Sequence, residues 1–294
     1  MTTLKDLQTR ISSVKSTQKI TRAMQMVAAA KLRRSQERAE AARPYSERLA
    51  NVLSNLAGSM KDSPSAPKLL AGTGKDDVHL LVIATADRGL CGGFNSSIVR
   101  KAREHIKTLQ GEGKTVKLFL VGKKANDMLK RQYEHLIVDR RDFQGLRNVG
   151  FDYAQSAGER IQQMFADEEF DVCTIFFARF VSVVTQHPEA HQLIPPTLND
   201  VDADEAEVSA TPYEYEPDEE EILTKILPLN LNAQIFRAIL ENAASEQGAR
   251  MSAMDNATRN AGDMIDKLTL QFNRTRQSII TTELIEIISG AESL

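Results

Sequence analysis

The sequence predicts a combined α+α/β fold: a long antiparallel coiled coil of the N- and C-terminal helices plus a small Rossmann-like α/β domain with a mostly parallel sheet. Two observations predict it. At both ends of the 294-residue chain, apolar or small residues recur at alternating spacings of three and four, which is the pattern of a narrow helical seam. Between the ends, short runs of valine, isoleucine and phenylalanine alternate with helix-like stretches, as in strand–helix–strand units.

The N-terminal helix is predicted over residues 1–60. Before Pro44 the sequence contains no glycine, proline or aromatic residue, so nothing there breaks a helix. Its stripe, polar in the middle, runs through Leu4, Leu7, Ile11, Val14, Gln18, Thr21, Gln25, Ala28, Leu32, Ala39 and Ala42. Pro44 is expected to kink the helix. Gly58 and two nearby prolines are expected to end it, and a linker over residues 61–76 follows.

The α/β domain is predicted over residues 77–198. Apolar runs predict parallel strands at residues 78–84, 116–121, 136–138 and 172–178. Helix-like stretches alternate with them at residues 96–109, 123–132 and 149–165. Residues 180–185 extend the last apolar run and predict an added antiparallel strand.

The C-terminal helix is predicted over residues 218–294, after an acidic linker at residues 199–217. Its stripe runs through Leu240, Ala244, Gln247, Met251, Met254, Thr258, Ala261, Ile265, Leu268, Phe272, Thr275 and Ile279. Heptad spacing sustained over five to six repeats favours a coiled coil over a core helix. Pairing of the two stripes within one chain would bury both of them. A coiled coil between two chains is the alternative.

Charge is unevenly spread along the chain. Residues 1–50 hold eleven lysines and arginines against four acidic residues, whereas acids crowd residues 200–221. The basic front is therefore a candidate contact surface, and the acidic run, including residues 200–207, is a candidate solvated connection.

Other bulk properties exclude several classes of protein. Cys91 and Cys173 are the only cysteines and lack CxxC spacing, which argues against a disulfide framework or zinc site and predicts a reducing compartment. No apolar run approaches the roughly 18–20 residues that a membrane span needs. The N-terminus shows no visible export signal.

The stretch DRGLCGGFNSS, residues 87–97, is the first candidate for an active site. It lies between a predicted strand and a predicted helix, and Cys91 there could act as a nucleophile. Its glycines fit neither a dinucleotide-binding fingerprint nor a phosphate-binding Walker loop, and no histidine lies nearby. A sharp structural turn is the simpler interpretation, with Asn95 or Ser96 capping a helix that begins near residue 97.

Two further motifs are weaker candidates. Gly72-Thr-Gly-Lys75 resembles part of a phosphate loop, but Leu69 replaces the first glycine and Asp76 the serine or threonine. His187-Pro-Glu-Ala-His191 spaces two histidines as metal-binding helices do, yet its proline predicts a turn between strands. For both motifs a structural role is the simpler interpretation.

Four segments carry a family resemblance. Residues 280–293 (ITTELIEIISGAES) resemble the C-terminal signature of the gamma subunit of F-type ATP synthases, and residues 19–32 (KITRAMQMVAAAKL) resemble its N-terminal helix. Residues 87–95 resemble a motif of the middle domain of that family, and residues 244–258 a part of its second helix. The resemblance covers essentially the whole chain in the right order.

The resemblance implies a rotor shaft without a catalytic, cofactor or metal site of its own. The coiled coil would lie inside a ring of three alpha and three beta subunits, which bind ATP or ADP and Mg. The α/β domain would stand as a foot on the c-ring of the membrane rotor, beside the epsilon subunit. A shaft without threefold symmetry presents a different face to each beta subunit, so its rotation would couple proton flow to the nucleotide sites.

The resemblance also implies contacts with the alpha and beta subunits at ten positions, with solvated helix faces as the alternative for each. These positions are Lys19, Met24, Arg33, Arg34, Arg250, Asp255, Gln271, Arg274, Glu283 and Glu286. The paired cysteines of a redox switch in chloroplast-type relatives are missing, and no targeting segment is visible. We therefore expect a bacterial protein, peripheral on the cytoplasmic face of the inner membrane.

A different class of function is the alternative. Four basic residues could hold the phosphates of a nucleic acid, which would make the chain a basic coiled-coil nucleic-acid-binding adaptor. They are Lys31, Arg33, Arg34 and Arg38. No aromatic residue interleaves these basic residues, however, and the rest of the chain is acidic. A contact with an acidic protein partner fits the pattern equally well.

Overall fold

A computed structural model describes residues 3–60, 66–144, 149–196 and 219–292. The acidic run at residues 200–207 and the linker predicted at residues 199–217 lie outside the described residues. Contacts divide the chain into two units, which we treat separately. The first, the helix-pair unit, comprises Met1–Ala30 and Arg250–Leu294, and the second, the sheet unit, comprises Lys31–Ala249. The domain bounds drawn from the sequence stay a prediction.

Long helices occupy both ends of the chain. The helices are α1 (Leu4–Met60), α2 (Lys68–Ala71), α3 (Phe94–Gly111), α4 (Lys123–Tyr133), α5 (Phe151–Ala166) and α6 (Glu219–Glu292). The strands are β1 (Val78–Ala84), β2 (Thr115–Val121), β3 (Ile137–Arg141), β4 (Val172–Phe180) and β5 (Gln186–Ile194). Pro44 lies inside α1 and Pro228 lies inside α6.

The five strands form one sheet in the order β3-β2-β1-β4-β5. The four strands β1 to β4 pair in parallel, and β5 is antiparallel to β4. The fold class predicted from the sequence is therefore confirmed, with long terminal helices and a mostly parallel central sheet.

The last strand differs from its prediction. The antiparallel strand expected at residues 180–185 was wrong: β4 continues to Phe180, and a tight turn follows in which Val181 N and Ser182 N donate to Thr185 O. The turn expected at residues 187–191 was also wrong, because that segment lies within β5. Pro188 is tolerated there because it lies opposite Ala178 on an edge strand, where a missing N–H removes no ladder hydrogen bond.

Helices cover both faces of the sheet within the sheet unit. Alternate residues of β1 point to opposite faces, as the pleat of a strand requires. Leu80 and Val82 pack in a core with residues of α5 and of residues 231–239 of α6. Leu81 and Ile83 pack instead with residues of α3 and α4. Both faces of β1 are thus buried, which explains its uninterrupted apolar sequence.

In the helix-pair unit, residues of α1 and α6 pair in antiparallel fashion. Gln25 Nε2 donates to Asp255 Oδ1 at 3.1 Å, and the hydroxyls of Thr21 and Thr258 lie 2.7 Å apart. One turn further, a methyl group added at Gly262 would lie 3.3 Å from the Gln18 amide nitrogen. Residue numbers fall along α6 as they rise along α1, so the two stripes pair within a single chain.

Candidate partner-contact surfaces

The glycine loop at residues 87–97 is a structural turn at the carboxyl end of the sheet. The Asp87 carboxylate accepts hydrogen bonds from Lys123 N and Phe143 N, each at 2.8 Å. It therefore ties the ends of β1, β2 and β3 to one another. Leu90 and Gly92 both adopt left-handed conformations, with φ of 62° and 56°, which reverse the chain before α3.

Asn95 joins this loop to β1 and does not cap α3. The helix begins at Phe94, earlier than predicted, and makes no side-chain capping hydrogen bond. Asn95 Oδ1 accepts from Ala86 N at 2.9 Å, and Asn95 Nδ2 donates to Cys91 Sγ at 3.1 Å. Ser96 Oγ donates to Gly93 O at 2.9 Å. The predicted caps at Asn95 and Ser96 were wrong, because the amide of Asn95 is used by the strand end and by the buried Cys91.

The chain itself fills the crevice where α/β sheets commonly bind ligands. Thr85 Oγ1 accepts from Ala125 N at 2.8 Å, and Lys124 N donates to Ala86 O at 3.0 Å. A methyl group at Gly122 would lie 2.2 Å from Thr85 O, so the two loops are in direct backbone contact. The sequence signal for this contact was the glycine that follows β2.

A cleft of about 490 Å³ opens at the opposite, amino edge of the sheet, beside the Gly72-Thr-Gly-Lys75 loop. Asp171 organises this loop: Oδ1 accepts from Thr73 Oγ1 at 2.6 Å, and Oδ2 accepts from Asp77 N and Val78 N at 3.1 and 3.0 Å. Burial opposes ionisation of Asp171, but these three hydrogen bonds outweigh it and hold the pKa of its carboxyl below the usual value.

Two histidines and two lysines are among the residues that line the same cleft. His79 Nε2 lies 2.8 Å from Asp76 Oδ1, and the ammonium of Lys114 bonds the other oxygen of Asp76. Burial lowers the pKa of His105, and the neighbouring His79 and Lys114 act in the same direction. Within the described ranges, no three His, Cys, Asp or Glu side chains gather in a way that could hold a metal ion.

The seam of the helix-pair unit is polar at its middle. Thr21 is buried, and its hydroxyl also lies 3.0 Å from Gln18 O. The Thr258 hydroxyl lies 2.8 Å from Met254 O. The two hydroxyls have only two protons for these three contacts, so one hydroxyl donates across the seam while the other donates to its own helix. Neither hydroxyl is left unpaired in either arrangement, and the polar layer fixes the register.

Two predicted contact residues lie beside this seam. Asp255 accepts from Gln25 and forms an ion pair with Arg259 on the next turn of α6. Lys19 is exposed and lines a shallow hollow of about 440 Å³ with Gln18, Gly262 and Asp266 among others. The structure does not bring Lys19 and Asp255 into one cluster.

The other predicted contact residues are spread along both helices. Met24 and Arg250 are half-buried, whereas Gln271, Arg274, Glu283 and Glu286 are exposed. Arg33 and Arg34 belong to the sheet unit and are also exposed. Arg33 pairs with Glu37 at 3.1 Å on a solvated helix face, a kind of pair that adds little to stability. The ten positions therefore form a distributed surface, and their role as contacts stays a prediction.

The end of α6 presents a large apolar surface. Residues 276–291 are all exposed, as the last residues of the helix-pair unit. Their exposed apolar side chains are Ile279, Ile280, Leu284, Ile285, Ile287 and Ile288. Several large apolar side chains exposed within one short segment are typical of a surface that binds another protein. The predicted contact positions in this segment were only Glu283 and Glu286. Its isoleucines were not predicted as contacts, although their repetition was visible in the sequence.

No helix among the described residues combines the length and apolar character that a membrane span requires.

A family profile and the similar sequences both identify the ATP synthase family. A family profile described as ATP synthase matches residues 3–294. The ATP synthase gamma chain of Rhizobium leguminosarum bv. trifolii (strain WSM2304) is 60% identical over 294 residues, covering 100% of both chains. That of Parvibaculum lavamentivorans is 61% identical over 294 residues, again covering 100% of both chains.

Solved structures show the same fold. A chain of the central stalk and c-ring assembly of the Tetrahymena thermophila mitochondrial ATP synthase matches with a TM-score of 0.61 and 27% identity, covering 81% of this chain and 99% of that one. A chain of the Euglena gracilis mitochondrial ATP synthase rotor matches with a TM-score of 0.65 and 20% identity, covering 94% of this chain and 98% of that one. The second match, at 20% identity, shows a shared fold only.

Proposed function

The chain belongs to the ATP synthase gamma-chain family, and we propose that it is the central-stalk rotor subunit of a proton-translocating F-type ATP synthase. The observation that carries this proposal is the match to gamma chains over 100% of both chains at 60% identity. The paired terminal helices and the mostly parallel sheet of the described residues are consistent with it. In this role the chain is an essential subunit of the ATPase complex and not its catalytic subunit.

The chain would act by differential contact. The ten predicted contact positions lie on two helices of different sequence, so the faces that they would present to a surrounding ring differ from one another. A ligand or partner shifts a conformational equilibrium only by the difference in its contact energy with the two states. Each beta subunit would therefore be biased toward a different nucleotide affinity, and rotation would exchange these biases among the three sites.

The apolar end of α6 suits a rotating contact. Hydrophobic contact is non-directional and scales with the area removed from water. The exposed isoleucines and leucine of residues 279–288 could thus be held inside a ring of alpha and beta subunits without fixed hydrogen bonds. Such a surface would hold the helix in place while it turns, and this supports its assignment as a bearing.

The partners proposed for the chain are three alpha and three beta subunits around one copy of it, the epsilon subunit, and the membrane c-ring. The Tetrahymena relative comes from a central stalk with its c-ring, which supports the last of these. We propose that ATP, ADP and Mg bind only to the alpha and beta partners. The proposed location is peripheral, on the cytoplasmic face of a bacterial inner membrane, as the alphaproteobacterial relatives suggest.

Co-purification tests this proposal. A tagged chain, expressed with its own operon, is expected to recover alpha and beta subunits in a three-to-three-to-one ratio with itself. The isolated chain is expected to hydrolyse no ATP. Binding of the isolated chain to DNA or RNA that weakens steeply with salt, without recovery of alpha and beta, would favour the nucleic-acid adaptor instead. The similar sequences and structures are gamma chains and central-stalk chains, and they support the rotor and not the adaptor.

A further inference from the structure

We infer that three buried side chains of α6 lock this helix onto strand β4 and are positioning residues for torque transmission. The three are Glu241, Asn242 and Ser245, and together with the backbone of Ala178 and Phe180 we call them the clasp. This inference rests on the proposed rotor function, because it concerns how torque on α6 is transmitted to the sheet.

The clasp occupies a gap in the sheet. Strand β1 ends at Ala84, and its last recorded pairing with β4 joins Ile83 to Phe176. Strand β4 continues to Phe180. On its other side, β4 pairs with β5 as far as Phe180, opposite Gln186. The last residues of β4 therefore have a strand on one side only, and their outward backbone groups need other partners.

Side chains of α6 supply those partners. Asn242 Oδ1 accepts from Ala178 N at 3.2 Å, and Ser245 Oγ donates to Ala178 O at 2.8 Å. Glu241 Oε2 accepts from Phe180 N at 3.0 Å. Both backbone polar groups of Ala178 are thus satisfied by one helix. The helix takes the place that a longer β1 would occupy beside β4.

Burial strengthens these hydrogen bonds because it protects them from competition with water. The exposed fractions of Glu241, Asn242 and Ser245 are 3%, 4% and 0%, so water does not compete for them. One turn beyond, Gly248 lets the chain approach closely: a methyl group there would lie 3.1 Å from the Phe180 ring and 3.6 Å from Val183 Cα. The bonded segment of α6 is therefore seated on β4 and on the turn that follows it.

Directional bonds give the clasp a role that packing does not fill. The apolar contacts of residues 231–239 with the sheet are non-directional, and helices can slide by small steps along such contacts. Hydrogen bonds from side chains to a fixed backbone weaken steeply when their angles change. They oppose rotation of α6 about its axis and sliding along it. Torque received by residues 250–291 of the same helix would pass to the sheet through the clasp.

The test compares matched substitutions in the assembled complex. Asn242→Leu removes a clasp bond. Asn230→Leu is its control, because Asn230 is also a buried asparagine of α6 but its side-chain oxygen accepts no hydrogen bond within the described structure. Glu241→Leu removes a second bond, whereas Glu241→Gln keeps an acceptor oxygen. Ser245→Ala is a milder variant that serves if a leucine variant does not fold.

The readout is proton pumping per ATP hydrolysed, measured in vesicles that contain the complete complex. We expect hydrolysis to persist in Asn242→Leu, Glu241→Leu and Ser245→Ala while this ratio falls by about fivefold, the factor that one lost buried hydrogen bond commonly makes in an equilibrium. Asn230→Leu and Glu241→Gln should keep the wild-type ratio.

Two results would overturn the clasp. One is a wild-type ratio in Ser245→Ala and in every leucine variant that assembles. The other is any result which shows that the three residues serve only the fold, namely an equal fall in Asn230→Leu or a parallel loss of hydrolysis and pumping. A wild-type chain that does not assemble with alpha and beta subunits would contradict the proposed rotor function before any variant is compared. A wild-type complex that hydrolyses ATP without pumping would do the same.

Discussion

Asp171 shows how much structure a single buried carboxylate can organise. It accepts three hydrogen bonds, from one hydroxyl and two backbone N–H groups, at the amino end of β1. An amide in place of the carboxylate has only one acceptor oxygen, so the bond from Thr73 could be kept only by reversing its direction, and the negative charge that strengthens all three bonds would be lost. The residue therefore holds the loop before β1 in place by its charge and by its acceptor geometry.

Asp171→Asn is expected to destabilise the chain by about 1–3 kcal/mol at pH 7. The pKa of Asp171 in the folded chain is lowered from its ordinary value of 3.8. A lowered folded pKa contributes stability that is present above the ordinary value and is lost as pH falls through the folded value. The difference between wild type and variant should therefore shrink as pH drops below about 4. Urea unfolding from pH 7 to pH 3 measures it.

The control for this prediction is Asp167→Asn, at an exposed carboxylate that follows α5. It should change the free energy of unfolding little at either pH. A variant at Asp171 whose destabilisation stayed constant down to pH 3 would contradict the assigned role of its charge.

Gly122→Ala is expected to destabilise the chain by about 3 kcal/mol or more. Gly122 has φ of 93°, and the added methyl group would lie 2.2 Å from Thr85 O. Gly111→Ala is the matched control, since no neighbouring atom lies within 4 Å of its added methyl group. Denaturant midpoints of the two variants measure the difference. Equal midpoints would show that the β1 and β2 loops are not in contact as described.

Individual residues were the hardest level to predict from the sequence. The glycines of residues 87–97 correctly indicated a turn, because their spacing fits no phosphate loop. The hydrogen bonds of Asn95 and Asp87 were not predictable, since their partners are brought together by the sheet and lie up to 56 residues away. The clasp was missed for the same reason, because no local sequence pattern shows that β4 extends beyond the end of β1.

At the scale of elements, the pairing of α1 with α6 has a definite register. The Thr21 and Thr258 hydroxyls are 2.7 Å apart, close enough for cysteine sulfurs at these positions to bond after small rotations. A chain with Thr21→Cys and Thr258→Cys is expected to form an intrachain disulfide on mild oxidation. Non-reducing electrophoresis and mass spectrometry of the monomer measure it.

The matched control moves one partner out of register. Thr21→Cys with Ile265→Cys places the second cysteine two turns away, about 10 Å along the helix, and should remain reduced. Cys91 and Cys173 are buried and can stay in place. Disulfide-linked dimers of the first variant would instead support a coiled coil between two chains.

The elements themselves were largely predictable. The long helices follow from apolar spacing over many turns, and β1 follows from an uninterrupted apolar run, because a strand covered on both faces needs no polar residues. Strand β5 was misplaced since Pro188 and its polar neighbours resemble a turn. Only the pairing of Pro188 with Ala178, whose polar groups face α6, explains why a proline is harmless there.

At the scale of the whole molecule, the apolar end of α6 should matter for assembly and not for the stability of the isolated chain. Ile287 is 68% exposed, so Ile287→Glu should leave the melting temperature of the isolated chain unchanged. In the complex it should weaken binding to the alpha and beta subunits by at least about tenfold, since burial of an isoleucine contributes about 1.5–3 kcal/mol, which corresponds to a factor of roughly 10 to 150. Titration of the chain into alpha and beta subunits measures this affinity.

Gln163→Glu, which adds the same charge at an exposed position of α5, is the control for Ile287→Glu and should bind as the wild type does. A tenfold loss in both variants would show that charge alone weakens assembly. Unchanged binding of Ile287→Glu would remove the apolar end of α6 from the interface.

The central claim is that this chain turns within a ring of alpha and beta subunits, and single-molecule observation tests it most directly. A complex anchored through its beta subunits would carry a fluorescent rod on the sheet unit of the chain. Addition of ATP is predicted to drive rotation of the rod in one direction with three pauses per turn, one for each beta subunit. Sustained ATP hydrolysis by a complex whose rod stays fixed would contradict the account.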